Sequence, residues 1–308
     1  MTEAILFPGQ GAQFPGMGRE WAEAFPAAAR VFERADEALG FSLSEACWER
    51  GDDVHRTDIA QPGILATSAA IVSVLRERGL KTAQSPLTAG LSLGEYTALW
   101  CAGSLSLEDA LRLVRLRGEA MQAASEALPS SMTSLMGAEL ENAEALAALG
   151  REHGICSVAN VNAPGQIVLS GELAALDAVE ASAPDHGVKR AIRLQVAGGF
   201  HSECMRPAAE RLAAALTEVE IRAPATPFLS NVSGAPVADP EAIRGFLAQQ
   251  VCSPVLWEKS MRWALDQGLE AFLEPGPGSV LAGLMRRISR AAGRPAEVRA
   301  AEHPGDLD

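Results

Sequence analysis

The run Gly90-Leu91-Ser92-Leu93-Gly94 sets a serine between two glycines in a G-x-S-x-G pattern. It follows a short apolar stretch at 87–90, read as a buried strand, and precedes a helical pattern over 93–101. In that setting the chain must turn sharply, which strains and exposes the serine hydroxyl as a nucleophile. The flanking glycines let the chain fold that tightly. The helix that follows aims its N-terminus at the site, and the free N–H of Leu93 suits an oxyanion. G-x-S-x-G alone is met by any glycine-rich turn, so the strand–turn–helix context carries the reading.

A serine nucleophile needs a base. The chain has five histidines. His55 lies in a polar loop, and His153 ends a helical pattern beside Gly154, where helix C-termini often place histidine. His186 lies in a Pro-Asp-His-Gly turn and His303 in the tail. His201 alone sits at a glycine-rich junction, Gly198-Gly199-Phe200-His201, and elimination selects it; the alternative is a structural histidine. His201-x-x-Cys204 has no further ligand cluster beside it, so no metal site is expected. None of the carboxylates between Ser92 and His201 stands in a strand-end motif. The group that orients the imidazole is therefore expected to be a carbonyl or an amide.

The elements that must hold these groups follow from composition and period. The 308 residues allow two domains, or one large domain with an inserted lobe. Hydrophobic residues at 48% against 21% charged give a chain able to bury a large core. A formal net charge of −13 and a single tyrosine argue against nucleic acid as a partner, since backbone contacts need basic groups and single strands need stacking platforms. An anionic partner would need a local basic patch, for which Lys189, Arg190 and Arg193, or Arg286, Arg287 and Arg290, are the candidates. The longest uncharged run, 59–75, is too short and too polar for a membrane span. The N-terminus shows no basic region followed by a cleavage site. Five scattered cysteines without a C-x-x-C predict a reducing, cytoplasmic setting with no disulfide frame.

Short apolar runs alternate with amphipathic segments, which is α/β patterning. Strands are expected at 4–6, 87–90, 228–229 and 271–273. Helices are expected at 27–39, 66–79, 93–101, 107–125, 205–217, 253–267 and 279–291. The middle reads strand 132–138, helix 140–153, strands 156–161 and 166–170, helix 172–182, strand 188–194. That β-α-β-β-α-β order is ferredoxin-like. The expected organisation is a catalytic domain formed by 1–128 and 199–308, with a small subdomain inserted at 129–198. The tail from Gly293, rich in proline and charge, is expected to fray.

Together these stretches resemble the malonyl-CoA:acyl-carrier-protein transacylase family, which includes the acyltransferases of polyketide synthases. The matching segments are FPGQGAQ (7–13), GLSLGEYTAL (90–99), RLVRLRGEAMQ (112–122), NAPGQIVLSG (162–171), GGFHSECM (198–205), SNVSG (230–234), QQVCSPVLW (249–257) and EPGPGSVLAGL (274–284). The resemblance spans about residues 4–291. It implies an α/β-hydrolase-like domain with a ferredoxin-like insert. It implies Ser92 as the acyl carrier, His201 as base, and Gln10 with the Leu93 N–H as oxyanion site. It implies Arg117 as partner of the malonyl carboxylate, Gln250 as the residue whose backbone carbonyl orients His201, and Phe200 and Asn162 as substrate contacts. Spacing alone does not choose among Arg112, Arg115 and Arg117; the family pattern R-G-E-x-M picks Arg117. The implied partners are malonyl-CoA and an acyl carrier protein, with no bound cofactor and a monomer as the usual form.

Three positions depart from the family pattern. Leu91 stands where histidine is frequent, and Pro275 where leucine is usual. Gly199 stands where alanine is common, and the missing methyl is expected to loosen the pocket around Phe200. A hydrolase that removes acyl groups from carriers, and a transacylase for an α-substituted malonyl unit, are the alternative readings. Arg117 argues against the first and the bulk of Phe200 against the second.

Overall fold

The computed structural model describes residues 3–307. Its strands are β1 Ala4–Phe7, β2 Thr88–Gly90, β3 Ser130–Met136, β4 Cys156–Ala163, β5 Gln166–Glu172, β6 Arg190–Arg193, β7 Leu229–Ser230, β8 Ala235–Pro236, β9 Ala271–Pro275 and β10 Glu297–Ala301. A parallel sheet has the order β10-β9-β1-β2, and β7 and β8 form a small hairpin beside it. Because the four strands run parallel, their C-terminal ends lie along one edge. Phe7 pairs with Gly90 there, so the loops that carry Gln10 and Ser92 leave the sheet side by side.

Close approach explains the glycines. A Cβ on Gly94 would stand 2.3 Å from the Phe7 carbonyl oxygen, and one on Gly9 would stand 2.4 Å from that of Leu91. Both neighbours are backbone, which cannot swing aside.

The second sheet is antiparallel, in the order β4-β5-β3-β6, with helices Leu140–Gly150 and Leu173–Ser182 on one face. Alternation along β5 sorts its side chains. Ile167 and Leu169 enter the small core under the two helices, while Val168 faces the main core. The large sheet with its helices and this inserted β-α-β-β-α-β unit give the α/β class expected, with a ferredoxin-like small lobe.

Helix Thr57–Glu77 begins nine residues before the expected start at 66. Pro62 and Gly63 argue against a helix there, yet Pro62 leaves only one carbonyl, that of Asp58, without its helical donor. Arg115 Nη1 donates to that oxygen at 2.8 Å. By length and apolar content this helix matches a membrane span, but its apolar window is 94% buried inside the fold.

Helix Pro240–Gln250 was not expected, although Asp239 caps it and proline opens it. The helix expected over 253–267 is shorter, Trp257–Asp266. The tail is not frayed: β10 extends the parallel sheet along β9, and Trp21 Nε1 donates to the Glu302 carbonyl at 2.7 Å.

Candidate active site

Two non-glycine residues have positive φ among those described, Ser92 at 54° and His201 at 59°. Left-handed backbone at a serine and a histidine costs on the order of 1–3 kcal/mol each and persists only where surroundings impose it. Here the surroundings can be named. The Ser92 N–H donates to Asn231 Oδ1 at 2.7 Å, and Asn231 Nδ2 donates to the Gly90 carbonyl at 2.7 Å. The Asn231 side chain thus clamps both arms of the turn.

Ser92 Oγ lies 2.8 Å from His201 Nε2, and His201 Nδ1 lies 2.8 Å from the Gln250 carbonyl oxygen. A carbonyl only accepts, so Nδ1 carries the proton and Nε2 presents its lone pair to the serine. This is the orienting carbonyl expected in place of a triad acid. His201 is 4% exposed. Burial, and then the charge of Arg117, push its imidazole down to about 4. The imidazole is neutral at neutral pH.

Arg117 is 1% exposed. Its Nη2 donates to Ser92 Oγ at 2.9 Å and to Gln250 Oε1 at 3.0 Å, and its Nη1 donates to Gln61 Oε1 at 2.6 Å. All three acceptors are neutral, and burial lowers the guanidinium from its ordinary value. The other two arginines of this helix are spent elsewhere. Arg112 pairs with Asp109 at the surface, and Arg115 pairs with Asp58 and Glu119. The structure thus separates three arginines that spacing leaves equivalent.

Ser92 and His201 open into a cleft of about 570 Å³ between the two sheets. Gln10, Phe200 and Asn162 line it, with Met132, Asn160 and Val168 from the small lobe. Gln10 Nε2 makes one long bond, 3.4 Å to Thr57 Oγ1. The Leu93 N–H, buried beside Ser92, donates to no acceptor among the described residues. Asn162 Oδ1 is buried without a partner among the described residues. Among the described residues no three His, Cys, Asp or Glu side chains converge as a metal site.

One expectation is corrected. Gly199 does not loosen the acyl pocket. A Cβ there would meet Ser130 Cβ at 3.0 Å and Cys204 Sγ at 3.1 Å, and Gly199 does not line the cleft. Its N–H is held by Ser130 Oγ at 2.9 Å.

Residues 5–303 match the family model described as the acyl transferase domain. The malonyl CoA-acyl carrier protein transacylase of Bacillus subtilis is 42% identical over 289 residues, covering 93% of this chain and 90% of that protein. This chain belongs to the malonyl-CoA:acyl-carrier-protein transacylase family. The transacylase of Escherichia coli strain K12 is 37% identical, with 94% and 93% covered. Among solved structures, an acyl-carrier-protein-S-malonyltransferase from Bartonella henselae superposes with a TM-score of 0.94 at 40% identity, covering 100% of this chain and 97% of that one. A malonyl-transacylase solved in complex with a type II PKS acyl-carrier protein gives 0.93 at 36%, covering 100% and 98%.

Two residues of this family member's site carry no local signal of their role. Asn231 lies in the quoted SNVSG stretch, but nothing in that stretch says that it clamps the turn at Ser92. Glu95 opens the helix after the nucleophile, where an acid is ordinary. It is 1% exposed, and its Oε1 accepts the Asn231 N–H at 2.8 Å. Its Oε2 accepts from Gln250 Nε2. Burial pushes its carboxyl up to about 7 against these donors and the charge of Arg117.

Proposed function

We propose that this protein transfers a malonyl group from malonyl-CoA to the phosphopantetheine thiol of an acyl carrier protein, for fatty-acid or polyketide synthesis, through an ester on Ser92. The observation that carries the reading is Arg117 Nη2, buried and 2.9 Å from Ser92 Oγ. In a malonyl ester the free carboxylate lies two bonds beyond the ester carbonyl carbon, within reach of that guanidinium. A buried carboxylate needs a charge-assisted, preferably bidentate partner. An uncharged acyl chain would leave the cation without one.

In the first half-reaction Ser92 Oγ attacks the thioester carbonyl while His201 Nε2 takes its proton. The oxyanion is met by the Leu93 N–H and by Gln10. The C–S bond breaks, and the proton on His201 passes to the leaving CoA sulfur. In the second, the carrier thiol gives its proton to His201 and attacks the ester, and Ser92 recovers the proton as it leaves. Atoms and protons balance with the donor and the carrier thiol alone, so the proposal includes no bound cofactor.

Residues 129–198 act as the inserted subdomain that walls the cleft, with Asn162 as a substrate contact. Phe200, buried on that cleft, crowds a substituent on the α-carbon and favours malonyl. The carrier docks through a local basic patch that includes Lys189 or Arg286, both exposed. We place the reaction in the cytoplasm and the enzyme as a monomer.

The test is intact mass after mixing the protein with malonyl-, methylmalonyl- or acetyl-CoA, with Ser92→Ala alongside. A malonyl adduct that is absent in Ser92→Ala and weak with acetyl-CoA is expected. No adduct from any donor, together with rapid release of acyl groups from a loaded carrier, would replace this reading with the hydrolase.

A further inference from the structure

Gln250 does more than lend a backbone carbonyl to His201. Its side chain is fully buried and makes three bonds. Nε2 donates to the Ser92 carbonyl at 2.8 Å and to Glu95 Oε2, and Oε1 accepts from Arg117 Nη2 at 3.0 Å. Turning the amide over would set Oε1 against two acceptors and Nε2 against a guanidinium donor. All three contacts would become repulsive, so the amide has one orientation. Two of the three partners are charged: Arg117 holds Oε1, and Glu95 is the charged acceptor on Nε2, which the Ser92 carbonyl meets as a neutral one.

Resting on the proposed roles of Ser92 and Arg117, we propose that Glu95 is a positioning residue. It fixes which end of the Gln250 amide faces Arg117, and so aims the guanidinium at the carboxylate of the acyl group. It touches neither the acyl group nor the reacting atoms. Its two oxygens each meet a donor, Oε1 the backbone N–H of Asn231 and Oε2 the Gln250 Nε2, with the Ser230 hydroxyl close enough to favour the carboxylate as well. Two acceptor oxygens are therefore required. A glutamine has one. In Glu95→Gln the oxygen must go to the immovable Asn231 N–H, which leaves an NH₂ facing Gln250 Nε2. Turning Gln250 over would relieve that contact only by setting Oε1 against the Ser92 carbonyl and the NH₂ against Arg117, so the amide is instead pushed off its place and Oε1 loses its register with Arg117 Nη2. The cation is then displaced from the position where it would meet a malonyl carboxylate. The His201 hydrogen bond to the Gln250 backbone does not depend on this amide. The effect therefore falls on the choice of acyl group more than on nucleophile activation.

The experiment, run at pH 8, above the value of about 7 to which burial pushes the Glu95 carboxyl, is kcat/KM for acylation of Ser92 by malonyl-CoA and by acetyl-CoA in four forms: wild type, Glu95→Gln, Arg117→Ala and the double variant. The malonyl-to-acetyl ratio is the readout. Losing one charged hydrogen bond in the transition state predicts that Glu95→Gln lowers the ratio about 30-fold. In the Arg117→Ala background the same change should leave the ratio where Arg117→Ala put it, because residues acting through one group are not additive. Equal slowing with both donors, or a further fall of the ratio in the double variant, would show that Glu95 only holds the fold and would overturn the proposal. Should Glu95→Gln lack a cooperative melt, Glu95→Asp keeps both acceptors but draws them back by one methylene. It should lower the ratio in the same direction by a smaller factor, and equal slowing there overturns the proposal too. An absent malonyl adduct in the wild type, or a persistent one in Ser92→Ala, would instead sink the underlying reading.

Discussion

The two sheets face the same cleft and contribute to it differently. The parallel sheet is built of three- to five-residue strands, of which β1, β2 and β9 are buried, and the loops that carry Gln10 and the proposed nucleophile Ser92 leave its C-terminal edge. There backbone packs on backbone, as at Gly94 and Phe7, and strain at Ser92 is pinned by Asn231. The antiparallel sheet has strands of up to eight residues and lines the cleft along its face with Met132, Asn160, Asn162, Gln166 and Val168. Side chains of a sheet face can be exchanged without moving the strand. The contrast is between a region that must hold atoms in place and one that shapes a volume.

That contrast can be broken by substitutions on either side. On the parallel-sheet edge, Ser92→Ala should reduce acylation by about 10⁴-fold or more with an unchanged melt, as read by intact mass and thermal denaturation. On helix Leu107–Ala127, which brings the Arg117 guanidinium to that serine, Arg117→Ala should lower malonyl acylation by about 100-fold and slow acetyl-CoA far less, as measured by single-turnover rates. Gly94→Ala forces a Cβ into the Phe7 carbonyl and should cost about 3 kcal/mol, lowering the melting temperature by roughly 5–10 °C. On the small-lobe wall, Val168→Ala should change the methylmalonyl-to-malonyl ratio by less than about tenfold, the scale of one or two methyl groups in a pocket. A 10³-fold effect there would erase the distinction between the two sheets.

Two smaller effects sharpen it. Since burial and Arg117 lower the His201 imidazole to about 4, the active neutral form persists on acidification. The rate of Ser92 acylation by acetyl-CoA, a donor with no carboxylate for Arg117 to meet, should hold at pH 5, where an ordinary imidazole is mostly protonated, and fall as pH drops through about 4, whereas malonyl-CoA should already lose rate as Glu95 takes up its proton near 7. A limb near 6.5 with acetyl-CoA would place His201 in a wetter site than this one. Arg286→Glu, out on the exposed face of helix Val280–Ala292, should slow transfer to the carrier severalfold and leave malonyl-CoA acylation of Ser92 alone.

What the sequence made legible follows the same division. Ser92 was readable because strand, turn and helix lie within a dozen residues, and His201 because the other four histidines had ordinary explanations. The ferredoxin-like order was readable because its strands and helices alternate locally. Glu95 and Asn231 were not readable, because their roles arise only where residues 136 positions apart meet. Pro62 hid the first turns of helix Thr57–Glu77 because the arginine that satisfies the freed carbonyl lies 57 residues away. β10 was hidden for the same reason: Gly293 and Pro295 advertise a loose tail, and the partner that orders it is a strand in another segment.

The place of β10 also bears on the order in which the chain acquires shape during synthesis. The four strands of the small sheet all come from residues 130–193 and pair with one another, so the sheet can form while the remainder is still being made; only the bridge from Asn160 to Val255 comes later. The parallel sheet cannot. β1 waits for β9, and β9 waits for residues 297–301 before its outer edge is covered. A nascent chain therefore carries a paired small sheet beside an open, apolar strand edge until residues 297–301 have been made. Premature termination just short of position 297 would leave that edge exposed on an otherwise native molecule, an invitation to aggregation and a mark for quality-control proteases.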